Sequence, residues 1–574
     1  MNHYEDEQKN IGLIVEDVYA DFNKEIVHSV AHAVIGRKDI NLILLAGRQD
    51  ESEDPADRQH QYKMVYNTIF ELESACRFDG LIFTLPNPKK CGRLLESKIP
   101  RVFIATDAAG EICVNYDDEI GIRETVAYLV NVKDVTRLCM LGGRDDNTDA
   151  IKRKKIFARC LSEYGLDFTP EQYEKTDMSI HTEAAAARLL KRNPDVQAIF
   201  CVNDQSACGL YNVLNEKGLV PGRDVMVFGF DNTRMAGDMI PPLSSIGTDT
   251  DTLGKRALEL LLQQMNGIGV VSVNIPTRLF GRDSLDYIMY EYTRGLLQKG
   301  DPAFIYQMFN DCFYRYRNEI IDPGDIDLKR LFFEIISRMV RCIQNRYMSE
   351  EEAQEIARLG DLFFENRAME YTDANHFVYS IKRMQSAMNE NTGSVYVNIR
   401  NNRLLSEMRD KAIISQFTAR NMERRGYERG RDGVFQFLVE SAGFDCGNTD
   451  NVESVVECLK HYKVRNAALY LFEEPLEYRE GEALQVPETI RLRCVVRYGE
   501  LYVIPRERQE CPMSQMFSRQ ELIREGKGLT AYPLFFGRMV YGYYVCNMDR
   551  ALLDTGEYMA LQLSRAIYVN RKNG

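Results

Sequence analysis

Between Ile11 and about Arg282, short apolar runs alternate with stretches of helical periodicity. The apolar runs are NIGLIVED, INLILLAG, DGLIFTL, RVFIAT, RLCMLGG, AIFCVND and VMVFGFD. Helical spacing of about 3.6 residues marks the segments between them, such as FNKEIVHSVAHAVIGRK and YKMVYNTIFELESAC. Apolar strands separated by helices are typical of βαβ units, whose parallel sheets are covered on both faces. Two such halves predict an open α/β architecture of doubly wound parallel sheets in two lobes.

The pattern becomes helical over residues 283–432, which we interpret as a helical bundle and spacer. Three amphipathic stretches support this: LKRLFFEIISRMVRCIQNRY, EEEAQEIARLGDLFFENRAMEY and HFVYSIKRMQSAM. A further stretch from Arg403 to Arg425 carries small and apolar residues at alternating three- and four-residue steps, namely Leu405, Met408, Ala412, Ser415, Ala419 and Met422. This spacing indicates either a weak heptad seam or one more bundle helix, since fewer than four heptads are present.

Residues 433–574 have an α+β pattern. NVESVVECLKHY has helical spacing, and four runs rich in Val and Tyr predict strands: NAALYLFEE, IRLRCVVRY, LTAYPLFF and MVYGYYVCNM. Phe536, Gly537 and Arg538 separate the last two runs and predict a hairpin. Thr555 is the predicted N-cap of a final helix.

Composition excludes several classes of protein. The 574 residues suffice for about three or four domains of roughly 150 residues each. A net charge of −13 argues against a surface that binds phosphate backbones. The first ten residues are polar, and no stretch approaches the ~18 consecutive apolar residues of a membrane span, so we expect a soluble, cytoplasmic protein with no membrane partner. The 14 cysteines include no CxxC pair, which favours buried, reduced thiols.

No catalytic or metal-binding pattern is present in the sequence. There is no GxxxxGK[ST] phosphate loop and no GxSxG elbow, and REGKGLT only imitates the former. His28 and His32 lie four residues apart, but no HExxH motif or third ligand completes a metal site. We therefore expect no catalytic residue, no metal and no cofactor, and the protein is not expected to be an enzyme.

One stretch within residues 194–249 carries a family resemblance. It contains CVND, a Gly-Leu-Val-Pro turn, VFGFDN and PPLSSI in that order. These pieces, in this order and spacing, resemble the effector-binding domain of the lactose-repressor/galactose-repressor family. The resemblance implies a two-lobed, periplasmic-binding-protein-like domain over residues 11–282 that binds a small-molecule ligand.

Polar residues at strand ends predict the ligand site. Asn203 ends AIFCVND together with Asp204, Asp231 ends VMVFGFD, and Arg153 follows RLCMLGG on a helix. Ligands of open α/β sheets bind at the carboxyl ends of the strands, and Asn, Asp and Arg together donate to and accept from a polyol or base. The resemblance implies five ligand contacts, which are Phe22, Asp149, Arg153, Asn203 and Asp231.

Each of these positions also has a structural interpretation. Asp231 is also consistent with a turn residue, Phe22 with the core and Arg153 with a solvated charge, and we interpret Asp204 as a helix cap. Two departures from the family pattern leave the ligand open: Ala20–Asn23 lacks the proline and second aromatic, and Ile156 replaces a glycine. Because residues 131–241 form an uninterrupted βα series, we predict that Arg153, Asn203 and Asp231 share the second lobe and face Phe22 of the first.

The rest of the chain limits the function. Only ten residues precede Ile11, too few for the helix-turn-helix of family repressors, so direct DNA binding is not expected. The basic segment Arg420–Arg431 is interpreted as a solvated helix end. The hairpin and final helix of residues 433–574 resemble a GAF-type domain, and the order of the three regions resembles the sensory part of some bacterial signalling proteins.

The sequence thus predicts a homodimeric, ligand-sensing regulator. Its ligand would be sugar-like or nucleoside/purine-like, and closure of the two lobes would be relayed through the helical spacer to a downstream signalling partner. Two alternatives stay open. One is a transcription regulator of the lactose-repressor type without its own DNA-binding headpiece. The other is the sensory part of a diguanylate cyclase or histidine kinase.

Overall fold

The structure is a computed structural model of the chain. It describes residues 8–573 except 20, 38, 49–57, 85–97, 107, 249, 287–298, 314–315, 317–326, 373, 390–393, 443–455, 458, 460–463, 465, 519–527 and 549. Most of the predicted helix NVESVVECLKHY lies outside these residues. None of the helices within them is long and apolar enough to cross a membrane. The described cysteines are free thiols, and all of them except Cys208 are buried.

Within the described residues, twelve strands build the two predicted lobes. In chain order they are β1 (Lys9–Val15), β2 (Ile40–Ala46), β3 (Gly80–Thr84), β4 (Arg101–Ile104), β5 (Ile112–Asp117), β6 (Leu138–Gly142), β7 (Tyr173–Lys175), β8 (Ala198–Cys201), β9 (Met226–Phe230), β10 (Ser244–Gly247), β11 (Val273–Pro276) and β12 (Arg278–Phe280). The first lobe has the order β11-β5-β4-β3-β1-β2, and the second has β12-β10-β9-β8-β6-β7. All these pairings are parallel except β10–β12.

Helices cover these sheets and complete the doubly wound pattern. They are α1 (Asp21–Ala33), α2 (Arg58–Tyr66), α3 (Leu72–Ala75), α4 (Asp118–Asn131), α5 (Thr148–Glu163), α6 (Glu183–Arg192), α7 (Asp204–Glu216), α8 (Arg234–Asp238) and α9 (Thr250–Met265). Every residue of β2, β3, β6 and β8 is buried. Burial on both faces explains why these strands are continuously apolar in the sequence. The two-lobed α/β prediction is confirmed.

The chain crosses between the lobes after β5, after β10, and between β11 and β12. Thr277 lies in the last crossing, where its Oγ1 donates to the carbonyl of Asp117 (2.6 Å) and accepts from the Gly121 amide (3.1 Å). A Cβ atom on Gly121 would lie 2.7 Å from that Oγ1, so only glycine allows the crossings to pack this closely. These crossings connect the two lobes.

Within the described residues, five α-helices follow the second lobe: α10 (Pro302–Cys312), α11 (Leu328–Asn345), α12 (Glu350–Glu365), α13 (Ala374–Asn389) and the long α14 (Val395–Ala442). They share one apolar core, and Leu405, Met408 and Ala412 of α14 are buried in it. The first half of the candidate heptad seam therefore faces its own bundle. The side chains of Ala419 and Met422 lie outside the described residues. The interpretation as a bundle helix is the one that the structure favours, and α14 continues past residue 432.

The last region forms an antiparallel sheet followed by a helix. Its elements are β13 (Ala467–Glu477), β14 (Thr489–Arg497), β15 (Glu500–Val503), β16 (Glu510–Pro512), β17 (Leu529–Phe536), β18 (Met539–Asn547) and α15 (Arg550–Asn573). The hairpin prediction is confirmed, since Phe536 pairs with Met539 across a turn in which Gly537 has φ +59°. Thr555 lies inside α15, which begins five residues earlier, so its prediction as the N-cap is wrong.

This sheet is continuous with that of the first lobe. β17 pairs in parallel with β2, from Leu529–Ile43 to Ala531–Leu45, which gives a sheet of twelve strands. Side chains of both regions share one apolar core, in which the Tyr62 and Phe535 rings lie 5.5 Å apart. The sequence pattern did not predict this pairing. The first lobe and the C-terminal sheet therefore form one body.

A largely buried ion pair lies at this junction. Glu557 of α15 is paired with Arg48 of the first lobe and accepts a hydrogen bond from Tyr62. The Glu557 side chain is 8% exposed and that of Arg48 is 22% exposed. The Arg48 guanidinium also lies 3.8 Å from the ring centre of Tyr19 and 3.4 Å from an oxygen of Asp17. Both residues belong to the loop after β1, which leads into the first helix.

We expect Glu557→Gln to destabilise the junction, because Arg48 would keep its charge at a mostly buried position with only the more distant carboxylate of Asp17 as an ionic partner. The expected loss is about 1–3 kcal/mol in the free energy of unfolding, measured by urea titration. The matched control is Glu482→Gln, at an exposed position of the C-terminal region. Equal stability of the two variants would contradict a stabilising role for the pair.

Candidate functional site

A cleft of about 240 Å³ lies between the two lobes. All five predicted site residues line it: Phe22, Asp149, Arg153, Asn203 and Asp231. Phe22 comes from the first lobe, while the other four come from elements of the second. The structure thus has the lobe arrangement that the sequence predicted, and the ligand-binding roles of these residues stay predictions.

Arg153 is the central residue of the cleft. Its side chain is only 3% exposed, and its guanidinium lies 3.6 Å from the ring centre of Phe230. Nη1 donates to the carbonyl of Val202 (2.8 Å), and Nη2 donates to Oδ1 of Asp231 (3.2 Å). Burial opposes the charge of Arg153, but the nearby carboxylates of Asp231, Asp118 and Asp149 outweigh burial and raise its pKa. The interpretation as a solvated charge is excluded.

Asp231 has a strained backbone conformation. Its φ is +96°, a region that residues with a Cβ seldom adopt, and its amide donates to the carbonyl of Ile246 (2.8 Å). Such a conformation costs on the order of 1–3 kcal/mol and persists only where the surroundings enforce it. Here it accompanies the contact of the carboxylate with Arg153. Strained residues of this kind cluster at functional sites.

Asn203, and not Asp204, caps helix α7. Oδ1 of Asn203 accepts from the amide of Ser206 (2.9 Å), so Asn203 caps α7 and the prediction of Asp204 as the cap is wrong. Nδ2 of Asn203 donates to the carbonyl of Met178 (2.9 Å). Asp204 instead accepts from Ser245 Oγ (2.6 Å) and the Thr233 amide (2.8 Å). Burial raises the pKa of Asp204 to about 7.

Aromatic rings connect the two lobes across the cleft. Phe22 packs edge-on against Tyr116 (ring centres 6.2 Å apart), and Tyr116 packs edge-on against Phe230 (5.9 Å). The guanidinium of Arg153 in turn lies over the ring of Phe230. Phe22 is partly exposed toward the cleft, so its role is shared between packing and lining. These rings form an aromatic surface against which a flat apolar face of a ligand would pack.

Several buried polar atoms of the cleft lack a hydrogen-bond partner within the described chain. They are Oγ1 of Thr84, the hydroxyl of Tyr116 and Nε of Arg153. The residues that carry these atoms line the cleft, and an unsatisfied buried polar group costs about 1–3 kcal/mol. Sequence reasoning missed Thr84 and Tyr116. Both lie at the carboxyl ends of strands β3 and β5, which is the signal that could have found them.

Asp149 is a second carboxylate of the cleft. It lies in the first turn of α5, whose N-cap is Asn147. Burial raises the pKa of Asp149 to about 6, and Arg153 opposes this shift. Asp149 can therefore change charge near neutral pH. Within the described residues, no group of three or more His, Cys, Asp or Glu side chains is arranged to hold a metal ion.

Comparisons with known proteins agree with this architecture. Residues 126–285 match the family model of the periplasmic binding protein-like domain. The ribose operon repressor of Escherichia coli (strain K12) is 27% identical over 262 residues, which cover 44% of this chain and 75% of the repressor. Catabolite control protein A of Priestia megaterium is 25% identical over 281 residues, with coverage of 48% and 81%. Residues 126–285 are therefore similar to a periplasmic binding protein-like domain, and about half of the chain is similar to these two regulators.

Solved structures align with about half of the chain. The transcriptional regulator CelR–cellobiose complex aligns with a TM-score of 0.41 and 22% identity, covering 49% of this chain and 86% of CelR. The Lac repressor bound to ONPG aligns with a TM-score of 0.42 and 21% identity, covering 49% of this chain and 83% of that chain.

We expect Asp149→Asn to change the pH dependence of stability. The folded-state pKa of Asp149 is about 6, above its ordinary value of 3.8, so folding takes up a proton between these values. The stability from this group is present below about pH 4 and is lost as the pH rises through 6. The variant should lose less stability than the parent between pH 4 and 7, by up to about 3 kcal/mol.

Thermal unfolding from pH 4 to 8 measures this difference. Asp146→Asn is the control, because Asp146 is a neighbouring residue whose side chain is 62% exposed. If the difference in stability between the parent and Asp149→Asn does not change with pH, the raised pKa of Asp149 is contradicted.

Proposed function

We propose that this protein is a regulatory ligand sensor and not an enzyme. A small sugar-like or nucleoside/purine-like molecule binds between the lobes, and the lobes close around it about the crossings near Asp117 and Thr277. The observation that carries the proposal is the buried Arg153–Asp231 pair, whose residues line the cleft. Other residues that line the cleft have buried polar atoms with no hydrogen-bond partner within the described chain. A ligand with several hydroxyl or carbonyl groups would satisfy those atoms.

The dimensions and chemistry of the cleft support a small, uncharged ligand. Its volume of about 240 Å³ is below the roughly 300–1,000 Å³ of sites for drug-sized molecules. Acidic side chains at the cleft outnumber basic ones, with Glu16, Asp149, Asp177 and Asp231 against Arg144 and Arg153. Carboxylates accept hydrogen bonds from hydroxyls and repel anions, which favours a polyol or base over a phosphorylated ligand.

Transmission through the rest of the chain is part of the proposal. Because the C-terminal sheet extends the sheet of the first lobe, closure would move the second lobe against both. The helical spacer of residues 283–432 and the GAF-like domain of residues 433–574 would relay this movement to a downstream signalling partner. We propose that the protein acts in the cytoplasm as a homodimer.

A second candidate is a transcription regulator that acts through a DNA-binding partner. It is favoured by the relatives, which include the ribose operon repressor and the HTH-type transcriptional repressor PurR of Vibrio atlanticus. The family resemblance and the order of the regions leave a third candidate, the sensory part of a diguanylate cyclase or histidine kinase.

The ligand proposal is tested by variants of the cleft. A thermal-shift screen of sugars, nucleosides and purines selects a compound, and calorimetry then measures its affinity. We expect Arg153→Ala and Asp231→Ala each to weaken binding about 10- to 100-fold, because removing a partner of a charge-assisted hydrogen bond costs roughly 1.5–3 kcal/mol.

Arg159→Ala is the matched control, because Arg159 is on the same helix with its side chain 54% exposed and does not line the cleft. Circular dichroism checks that each variant is folded. If both cleft variants bind like the parent, the predicted site is wrong and the likeness to the family extends to the fold alone.

A gel-shift assay against genomic fragments tests whether the chain itself binds DNA. We expect the chain alone to shift no fragment, with or without the selected compound, because the net charge is −13 and no helix-turn-helix is predicted. A sequence-specific shift by the pure protein would favour direct transcription regulation.

A further inference from the structure

The long helix α14 carries large apolar side chains on the face that points away from the bundle. We call this set the outer stripe. Each of its members is between 48% and 73% exposed, and they are Val395, Tyr396, Ile399, Ile413, Ile414, Phe417, Phe435 and Val439. Single exposed apolar residues are ordinary in proteins, but eight on one helix call for an explanation.

Helix geometry places all eight on one side. At about 100° per residue, their positions fall within a sector roughly 100° wide. The buried residues Leu405, Met408 and Ala412 lie on the opposite side, where the bundle core covers them. The helix therefore carries apolar residues on two faces, and its own chain covers only one of them within the described residues. On the uncovered face the apolar residues form three patches, with Arg403 and Asp410 between the first two.

The stripe repeats every 18 residues, which is about five turns of an α-helix. Val395 is followed by Ile413, and Tyr396 by Ile414, at this distance. Ile399, Phe417 and Phe435 form a third series with the same spacing. Because five whole turns return to the same side, the apolar patches lie on a straight line about 27 Å apart.

The exposed area is large enough for a stable interface. With roughly half to three-quarters of each large side chain accessible, each contributes on the order of 100 Å² and the eight together about 800 Å². The eight side chains form three separate patches along the helix, and together they provide about the 800 Å² that a standard interface takes from each partner. The outer stripe is therefore suited to an interface between two chains.

We propose that the occupant of the outer stripe is the same stripe of a second copy of this chain. A partner must present apolar groups along a straight line with the same spacing, and a second copy does so by construction. Charged side chains of both signs lie between the apolar patches and beside them, as in the pair of Arg403 with Glu407 (3.4 Å) and that of Arg409 with Asp410 (3.1 Å). Two copies related by a twofold axis are therefore not driven apart by a one-signed surface.

This contact differs from the seam that the spacing of Leu405 to Met422 suggested, since the first half of that seam is buried in the bundle. It also does not rest on ligand binding. A failure of the ligand proposal would leave it intact, and the reverse holds as well.

Sedimentation equilibrium of the full chain tests the proposal. We expect the parent to be a dimer, and Ile413→Lys together with Phe417→Lys to raise the dimer dissociation constant at least tenfold. Val271→Lys is the matched control, because Val271 is 75% exposed and lies outside α14, and it should leave the constant unchanged. A monomeric parent, or a double variant with the dissociation constant of the parent, would overturn the proposal.

Two further measurements keep the result interpretable. If the first double variant loses helical circular dichroism, Phe435→Lys with Val439→Lys probes the same stripe at its other end and should weaken the dimer in the same way. Mild oxidation of a Phe417→Cys variant should yield a covalent dimer, whereas Ile180→Cys, at a 44% exposed position of the second lobe, should not. Absence of the Phe417→Cys dimer under conditions where the parent is dimeric would also refute the contact.

Discussion

The geometry of the cleft depends on one buried cation. Arg153 is removed from water, and an unpaired charge in that position would cost several kcal/mol. Its surroundings compensate in three ways: the carboxylate of Asp231, the carbonyl of Val202 at the end of a second-lobe strand, and the ring of Phe230. The strained backbone of Asp231 belongs to the same arrangement. Residues from three neighbouring segments are thereby held in fixed positions around the space for a ligand.

The same cleft is connected to the rest of the chain through the loop after β1. Phe22 reaches the cleft just beyond this loop, and Tyr19 of the loop contacts Arg48, the partner of Glu557 in the C-terminal helix. The pairing of β2 with β17 makes the first lobe and the C-terminal sheet continuous. A rotation of the second lobe would therefore change its position relative to a body that includes the C-terminal region.

The sequence predicted the lobes and the cleft well because their signals are local. Strands buried on both faces are continuously apolar, and the carboxyl ends of parallel strands converge, so Arg153, Asn203 and Asp231 were brought together correctly. The β2–β17 pairing joins residues nearly 490 positions apart in the sequence, and no local pattern encodes it. Helical spacing found Leu405 and Met408 but could not tell which of two apolar faces is covered by the chain itself. Asn203 and Asp204 are both good capping residues, and only the backbone geometry decides between them.

The central claim is that a small molecule is held between the lobes by Arg153 and Asp231. A crystal structure of the chain with the sugar, nucleoside or purine that most raises its melting temperature tests this most directly. The account predicts the molecule in the cleft, within hydrogen-bond distance of both side chains, with the lobes rotated about Asp117 and Thr277. A molecule bound elsewhere, or one in the cleft that touches neither residue, would contradict it.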